Sequence, residues 1–264
     1  MNLTDTHAHL YWDSFTEDFD AMIKRALDAQ VTYIINVGVD VKTSQKALDQ
    51  VKTYPWPKGL QVFSTIGIHP HEKDVSIHED IEELARIYQT RPDQIVAVGE
   101  CGLDYKEADE KTKKLQKQLF QTQIDLAKKL NLPLIVHCRG AWDEVLQMTK
   151  DHFGIYHCYS GFPPITQKVL SSKFLVSFAG NLTYPKNEYL QEAAKIIPLD
   201  RIVLETDCPF LPPQSKRGKR NEPSFMMETA QAVADIKGLS LEEVAKQTSL
   251  NVASLLSTLK LITL

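Results

Sequence analysis

The sequence predicts an α/β protein built as one closed (β/α)8 barrel, the TIM-barrel class. Three observations lead to this prediction: a length of 264 residues with 43% hydrophobic side chains, eight repeats of a short apolar run followed by a helical pattern, and no glycine-rich phosphate-binding motif after any strand. A chain of this length suits one large barrel or two ordinary domains. Eight successive βα units favour the barrel, because such units form a parallel sheet and eight of them close it.

Eight runs rich in β-branched and apolar residues are the strand candidates, since such runs are typical of buried strands. They cover residues 3–9, 31–39, 62–69, 95–100, 133–138, 154–158, 174–180 and 201–207. Helical periodicity predicts helices near 17–29, 42–53, 79–90, 112–130, 141–151, 165–171 and 188–196, with more helix from about 224 to 258. A doubly wound open sheet is the alternative, but neither of its usual glycine motifs is present. No linker divides the chain, so residues 1–264 are predicted to form one domain.

Composition restricts the class of protein. The chain carries 30 basic and 34 acidic side chains, a formal net charge of −4, so net charge does not indicate a broad surface for polyanions. The amino terminus does not resemble a signal peptide, and no run of about 18 apolar residues occurs. Four cysteines are too few for a disulfide scaffold. We expect a soluble cytoplasmic protein with reduced thiols, no membrane association and no obligate protein partner, acting as a monomer.

Metal-ligand residue types cluster at the ends of the predicted strands. They are His7, His9, Glu100, His137, His157 and Asp207. The carboxyl ends of barrel strands form one face, where active sites are built, and two strand residues two positions apart, such as His7 and His9, point to the same side. Imidazole and carboxylate groups suit divalent cations. We therefore predict two such ions, Mg²⁺, Mn²⁺ or Zn²⁺, with Glu100 as the bridging ligand.

A pair of divalent metals indicates hydrolysis. Two metals about 3.5–4 Å apart can polarise a phosphoryl oxygen, activate water and stabilise both the attacking and the leaving oxygen. This predicts phosphodiester cleavage, with Glu100 and Asp207 acting in catalysis as well as in metal binding. The same metals can activate water against a carbonyl, so hydrolysis of a carboxylic ester or amide, for example aminoacyl-tRNA deacylation, is the alternative. A catalytically silent binding protein is a third reading, which the complete set of ligands argues against.

Seven short motifs resemble successive signature blocks of the TatD family of metal-dependent deoxyribonucleases. They are DTHAHL at the start, GIHPH at 67–71, GECGLDY at 99–105, HCRGAWDEVL at 137–146, YHCYSG at 156–161, ETDCPFL at 205–211 and RGKRNEP at 217–223. The resemblance covers residues 3–256 and implies a metal-dependent barrel enzyme with DNA as its substrate. It also implies one metal held by His7, His9, Glu100 and Asp207, and a second held by Glu100, His137 and His157.

Further residues are predicted to bind the substrate. His69, in the GIHPH block, is expected to contact the scissile phosphate or the activated water and so to act in catalysis; a packed loop histidine is the alternative. Arg139 is two residues past a ligand and could bind a phosphate with two N–H groups, or form a structural ion pair. A basic cluster on the loop after Asp207 could guide a polyanion inward, although such clusters are commonly only solvated. It consists of Lys216, Arg217, Lys219 and Arg220.

The remaining polar residues of these motifs are predicted to be structural. Asp104 is expected to order the loop after Glu100, because a short aspartate after glycine often bonds its own backbone. A cysteine follows each of four proposed ligands: Cys101, Cys138, Cys158 and Cys208. Strand alternation should turn these thiols away from the barrel mouth, so we predict buried fillers between barrel and helices rather than metal ligands.

Overall fold

The computed structural model describes residues 1–257 of the chain. Eight parallel strands close into a barrel in sequence order, which confirms the predicted fold class. The strands are β1 (Leu3–Ala8), β2 (Val31–Asn36), β3 (Gln61–Ile66), β4 (Ile95–Asp104), β5 (Leu134–Arg139), β6 (Gly154–Tyr156), β7 (Phe174–Phe178) and β8 (Ile202–Leu204).

Helices follow the strands in turn. They are α1 (Phe19–Asp28), α2 (Val41–Thr53), α3 (Ile77–Thr90), α4 (Glu110–Leu130), α5 (Trp142–Thr149), α6 (Pro163–Leu170), α7 (Glu188–Ile196), α8 (Met226–Lys237) and α9 (Leu241–Ser257). The helical stretch predicted from about 224 to 258 is two helices, because Gly238 ends α8 in the left-handed conformation with a φ of 66°, which glycine adopts without strain. Its predicted last residue, like the rest of 258–264, lies outside the described residues.

Local sequence signals set where helices begin. The Asp40 side chain accepts a hydrogen bond from the Thr43 backbone N–H at 2.6 Å, and the Thr43 hydroxyl accepts one from the Asp40 N–H at 2.9 Å. This reciprocal capping box satisfies two N–H groups that the first turn of α2 would otherwise leave unpaired. Asp109 caps α4 in a similar way through the Thr112 N–H. Both caps lie at the carboxyl-terminal face of the barrel, at the ends of the loops that follow β2 and β4.

Alternation along the strands places apolar residues deep in the barrel and polar residues at its mouth. Ile135, Ile155 and Val203 belong to a buried apolar cluster that Val252 and Leu256 of α9 join. Each of these three strand residues is followed, two positions later, by a polar one: His137, His157 and Glu205. Because residues two apart share a face, the strands that build the apolar floor also carry polar side chains to the carboxyl-terminal face.

Strand β4 differs from its predicted extent, since it continues four residues beyond Glu100 to Asp104. The prediction that Glu100 ends this strand is therefore wrong. The pairing of β4 with β5 shifts register between Val98 and Cys101, around Glu100. Gly102 follows with a φ of 135°, and a Cβ there would lie 2.0 Å from the His137 carbonyl oxygen. Only glycine lets β4 approach β5 this closely, and this approach sets Glu100 beside His137.

The first and last strands meet through side chains as well as backbone. The Asp5 carboxylate accepts hydrogen bonds from the Thr206 N–H at 2.9 Å and the Thr206 hydroxyl at 2.6 Å. Further along, the Asp207 N–H donates to the His7 carbonyl at 2.8 Å. The barrel is thus closed beside the histidines of β1. Among residues 1–257, no helix combines the length and the apolar character needed to cross a membrane.

Candidate metal centre

The six predicted ligands converge at the carboxyl-terminal face of the barrel. His7, His9, Glu100 and His157 are buried, with at most 5% of their surface exposed. His137 and Asp207 are partly exposed. Five of the six line a cavity of about 700 Å³, and His7 lies beneath them. This volume is within the usual range for small-molecule sites.

Glu100 occupies the centre of the cluster, and its two carboxylate oxygens face different histidines. Oε2 lies 3.2 Å from His7 Nε2. Oε1 lies 3.1 Å from His137 Nδ1 and 3.0 Å from His157 Nε2. The register shift in β4 lies around this side chain, and the one carboxylate connects His7 of β1 with His137 of β5 and with His157, just after β6.

Asp207 forms a second group with the two histidines of the first strand and its extension. Its Oδ1 lies 3.5 Å from His9 Nε2 and 3.8 Å from His7 Nε2. His9 Nδ1–H donates to the Val37 carbonyl at 2.7 Å, so Nε2 is left as the nitrogen with a lone pair toward the site. The backbone of Asp207 is left-handed, with a φ of 58°. Aspartate tolerates this conformation better than most residues, and it marks a sharp turn after β8.

Glu205 is a candidate functional residue that sequence reasoning missed. It is fully buried, and its Oε1 accepts hydrogen bonds from His157 Nδ1 at 3.1 Å and from the Cys158 N–H at 2.8 Å. A carboxylate behind a histidine holds the proton on one ring nitrogen and leaves the other as a ligand. The available signal was spacing, because Glu205 precedes Asp207 by two residues and strand alternation puts both toward the interior.

Asp104 holds His137 in a comparable way. Its Oδ2 lies 3.1 Å from His137 Nε2 and 3.1 Å from His71 Nε2. Its Oδ1 accepts a hydrogen bond from the Lys106 N–H at 3.1 Å, as predicted for a loop-ordering aspartate. Asp104 therefore orders the loop and also orients His137, whose Nδ1 faces Glu100.

The carboxylates and histidines of the cluster stabilise each other's charged forms. Burial opposes the ionisation of Glu100, but the positive potential of His157, together with that of His69 and His7, holds the pKa of this carboxyl well below its usual range. Burial likewise disfavours the charged form of His157, but Glu100 and Glu205 raise the pKa of this imidazole well above its usual value. Both carboxylates of the centre are ionised at neutral pH, since the pKa of Asp207 is also lowered despite burial, chiefly by its contact with His9.

The donor set fits divalent cations. Three overlapping groups bring their ligand atoms within 4.8 Å of one another: His7, Glu100 and His157; His7, His9 and Asp207; and His69, Glu100 and His137. Neutral imidazole nitrogen and carboxylate oxygen are the ligands that zinc and related ions take in hydrolases. Each group offers three ligands, which leaves room for further ligands such as water or substrate.

The predicted substrate residues near the mouth lie beside these ligands. His69 Nε2 is 3.4 Å from Glu100 Oε1, within the third of those groups, and its ring lines the cavity. The Arg139 side chain is half exposed, lines the cavity, and lies 3.9 Å from Asp104 Oδ2. This contact is too long for a hydrogen bond, so the guanidinium retains N–H groups for another anion.

The basic cluster lies further along the loop after Asp207. Arg220 donates to Asp18 Oδ2 at 2.9 Å, bonds to the Ser14 carbonyl, and stacks on Phe15. Its side chain therefore joins this loop to the segment before α1. Arg217 and Lys219 are exposed, and Arg217 lies over the ring of Tyr184; Lys216 is half-buried near Glu228. The residues of this loop that line the cavity are Asp207, Phe210 and Leu211.

The four cysteines are not equivalent. Cys101 and Cys208 are fully buried, as predicted. Cys138 is buried, but its edge lines the cavity. Cys158 is only partly buried and also lines the cavity. The prediction that strand alternation turns every thiol away is wrong for Cys158, because β6 has already ended and its left-handed φ of 42° breaks the alternation. No cysteine belongs to the groups of potential ligands found among residues 1–257.

Comparison with known proteins identifies the family. A family model described as TatD related DNase matches residues 4–257. The uncharacterized metal-dependent hydrolase YabD of Bacillus subtilis is 36% identical over 254 residues, which cover 94% of this chain and 96% of the relative. A protein of Erwinia tasmaniensis named 3'-5' ssDNA/RNA exonuclease TatD is 33% identical over 261 residues, 95% of each chain.

A solved structure gives the same result. YjjV, a TatD homologue from Escherichia coli, superposes with a TM-score of 0.88 at 25% identity, covering 97% of this chain and 98% of that one. The histidines and carboxylates gathered at the barrel mouth are the chemistry that a metal-dependent hydrolase needs. The chain is such a hydrolase, and it belongs to the TatD-related DNase family.

Proposed function

We propose that this hydrolase is a nuclease that cleaves phosphodiester bonds of single-stranded DNA with two divalent cations. The observation that carries the proposal is the position of Glu100, whose Oε2 faces His7 and whose Oε1 faces His137 and His157, at 3.0–3.2 Å. A carboxylate so placed can be shared between two cations. The Erwinia tasmaniensis relative is named as an exonuclease of single-stranded DNA and RNA, which supports nucleic acid as the substrate.

We assign the proposed ligands to two sets that share Glu100. His7, His9, Glu100 and Asp207 would hold one cation, and Glu100, His137 and His157 the other. When bound, such cations polarise the phosphoryl oxygen and increase the acidity of water. His157 and His137 can serve as ligands because Glu205 and Asp104 hold the proton on the opposite ring nitrogen.

The chain's own residues would bind and orient the phosphate. Arg139 supplies N–H groups at the cavity wall, and His69 supplies an imidazole 3.4 Å from Glu100, so both can bond to phosphate oxygens. Asp207 is ionised, and 13% of its side chain is exposed, against 5% for Glu100. We therefore assign to Asp207 the acceptance of a proton from the attacking water.

One assay panel tests this function. Metal-stripped protein is reconstituted separately with Mg²⁺, Mn²⁺ and Zn²⁺ and incubated with single-stranded DNA, duplex DNA, RNA and a carboxylic ester. Glu100→Gln controls for contaminating nuclease, and Glu242→Gln, an acidic residue at the opposite end of the barrel, is the matched control. We expect metal-dependent cleavage of single-stranded DNA by the wild type and by Glu242→Gln, but not by Glu100→Gln. Hydrolysis of the ester without hydrolysis of any nucleic acid would establish the carbonyl alternative instead.

A further inference from the structure

Exposed aromatic rings stand at the rim of the metal centre. Seven large apolar side chains are exposed among residues 1–257: Met1, Trp12, Leu115, Phe162, Phe210, Leu239 and Leu250. Of the three aromatic ones, Trp12 and Phe210 both line the cavity that holds the candidate ligands. Their rings meet edge to face, with centroids 5.3 Å apart and an interplanar angle of 79°. Exposed apolar surface of this kind commonly marks a binding site.

The backbone ties this aromatic pair to two proposed ligands. Trp12 is three residues after His9, and its N–H bonds to the His9 carbonyl at 3.1 Å. Phe210 is three residues after Asp207, and its N–H bonds to the Asp207 carbonyl at 2.9 Å. The Trp12 and Phe210 rings lie 6.0 and 6.1 Å from the His9 ring, measured between centroids. The backbone therefore holds the aromatic pair next to the metal centre, in contact with the ring of the proposed ligand His9.

The opposite wall of the cavity has a different chemistry. Arg139 is the last residue of β5, which lies across the closed barrel from β1, and its guanidinium can bind a phosphate. Trp12 and Phe210 carry no charge and, at 37% and 44% exposure, retain free ring surface. Proteins that bind unpaired nucleotides combine aromatic rings, on which any base can stack, with positive charge for the phosphates. Here Trp12 and Phe210 offer the rings and Arg139 offers a positive charge.

From this geometry we propose that Trp12 and Phe210 form a stacking platform for the nucleobase beside the scissile phosphate. The inference rests on the proposed nuclease function and deepens it, since it makes a base, and not only the phosphate, part of what the site recognises. A paired base has both faces covered by its neighbours in the duplex. The platform would therefore select unpaired nucleotides.

Steady-state kinetics on two matched oligonucleotides test the platform. One is single-stranded DNA with all its bases, and the other has the same length and backbone but abasic sites around the cleaved bond. Trp12→Ala and Phe210→Ala should each raise KM on the first substrate by about fivefold to 150-fold, the range for loss of one stacked base. Trp12→Phe, which keeps a ring, should restore most of the affinity. Leu239→Ala, an exposed apolar residue outside the cavity lining, is the matched control.

The abasic substrate separates stacking from a structural effect. If the rings stack on a base, wild type and both alanine variants should have the same KM on the abasic oligonucleotide, and kcat should stay within about twofold. If Phe210→Ala only displaces Asp207, kcat should fall on both substrates alike. An unchanged KM of both alanine variants on the base-containing substrate, or equal losses on the two substrates, would overturn the proposal.

Fluorescence distinguishes failure of the platform from failure of the nuclease proposal. Trp142 is buried and Trp56 lies away from the cavity lining, so Trp12 is the tryptophan at the mouth. If the wild type cleaves no nucleic acid, base-containing oligonucleotide should still quench its tryptophan fluorescence, and abasic oligonucleotide should not. The quenching should be lost in Trp12→Phe. Absence of base-dependent quenching in the wild type would refute the platform, whatever reaction the centre performs.

Discussion

The two ends of the barrel each carry a cavity of similar size and of opposite character. The carboxyl-terminal cavity, about 700 Å³, is lined by five histidines and four carboxylates among other residues. The amino-terminal cavity, about 650 Å³, has Glu242 and Lys246 as its charged lining side chains among residues 1–257, beside groups such as Thr4 and Tyr33. Volume therefore does not distinguish a reactive site from a structural recess in this molecule, whereas convergence of ligand atoms does.

Strand direction explains this difference. In a parallel barrel every strand leads into the loops of the same face, so residues near the strand ends converge there. The other end is closed by α9, whose Val252 and Leu256 join the apolar floor formed by residues such as Ile135. Removal of a carboxylate should therefore impair metal binding and hydrolysis at the carboxyl-terminal end, and should leave both unchanged at the amino-terminal end.

The largest difference between the two ends should come from Glu100→Ala. Two unit charges about 4 Å apart repel by roughly 4 kcal/mol at an effective dielectric constant of 20, and divalent ions repel more, so both cations should need the shared anion. Hydrolysis should fall below detection, and binding of both metals should weaken. Glu242→Ala, at the amino-terminal cavity, should change neither.

Equilibrium dialysis with metal analysis measures this effect, with thermal unfolding as the control for folding. His157→Ala is the companion variant, because His157 lies 3.0 Å from Glu100 Oε1 and is proposed to hold the second cation only. It should retain about one tightly bound metal. A Glu100→Ala protein that still binds two cations with wild-type affinity would rule out the bridging role.

Glu205→Gln should have the next largest effect. The amide keeps the size of the side chain but removes the charge that holds the proton on His157 Nδ1, and loss of such a partner typically lowers metal affinity or activity by about 10- to 100-fold. Titration of metal-free protein with Mn²⁺ or Zn²⁺ gives the affinity. The matched variant is Glu228→Gln, a carboxylate on α8 near Lys216. If both variants bind metal as the wild type does, Glu205 only fills space.

Neutralising the basic cluster should have a moderate effect on affinity alone. Lys216, Arg217 and Lys219 are changed to alanine together, whereas Arg220 is kept because its ion pair with Asp18 joins the loop to the segment before α1. KM for single-stranded DNA should rise several-fold, and its salt dependence should become shallower by up to about 0.7 per lost phosphate contact. KM measured between low and high salt tests this. A collapse of kcat at unchanged KM would place the cluster in the catalytic apparatus instead.

Replacing the four cysteines should have the smallest effect. Burial raises the pKa of Cys101 and of Cys208 well above the usual thiol range, so these side chains remain neutral thiols and poor ligands. A variant with serine at Cys158 and alanine at the other three should keep the wild-type metal stoichiometry, even if its melting temperature falls. Loss of one metal equivalent would show that a thiol belongs to the centre. Cys158 would be the first thiol to test, because it is only partly buried and lines the cavity.

Much of the fold and the ligand set could be predicted because both depend on periodicity. Apolar runs at regular spacing marked all eight strands, and residues such as His137 and His157 stood at the ends of those runs. The register shift that places Glu100 could not be predicted in this way, since it depends on how closely β4 approaches β5 at Gly102. Glu205 was missed because its spacing to Asp207 indicates only that it points inward, and not that it contacts His157.

The bonds that join Asp5 to Thr206, and His7 to Asp207, have a consequence for biosynthesis. His7 and His9 leave the ribosome before the other proposed ligands, and Asp207 emerges only after all eight strands have been translated. The nascent chain therefore cannot bring His7, His9 and Asp207 together until the last strand has been made and has paired with the first. We therefore expect a product that ends before Asp207 to be inactive, because it lacks one of the proposed ligands and the loop residues that line the cavity.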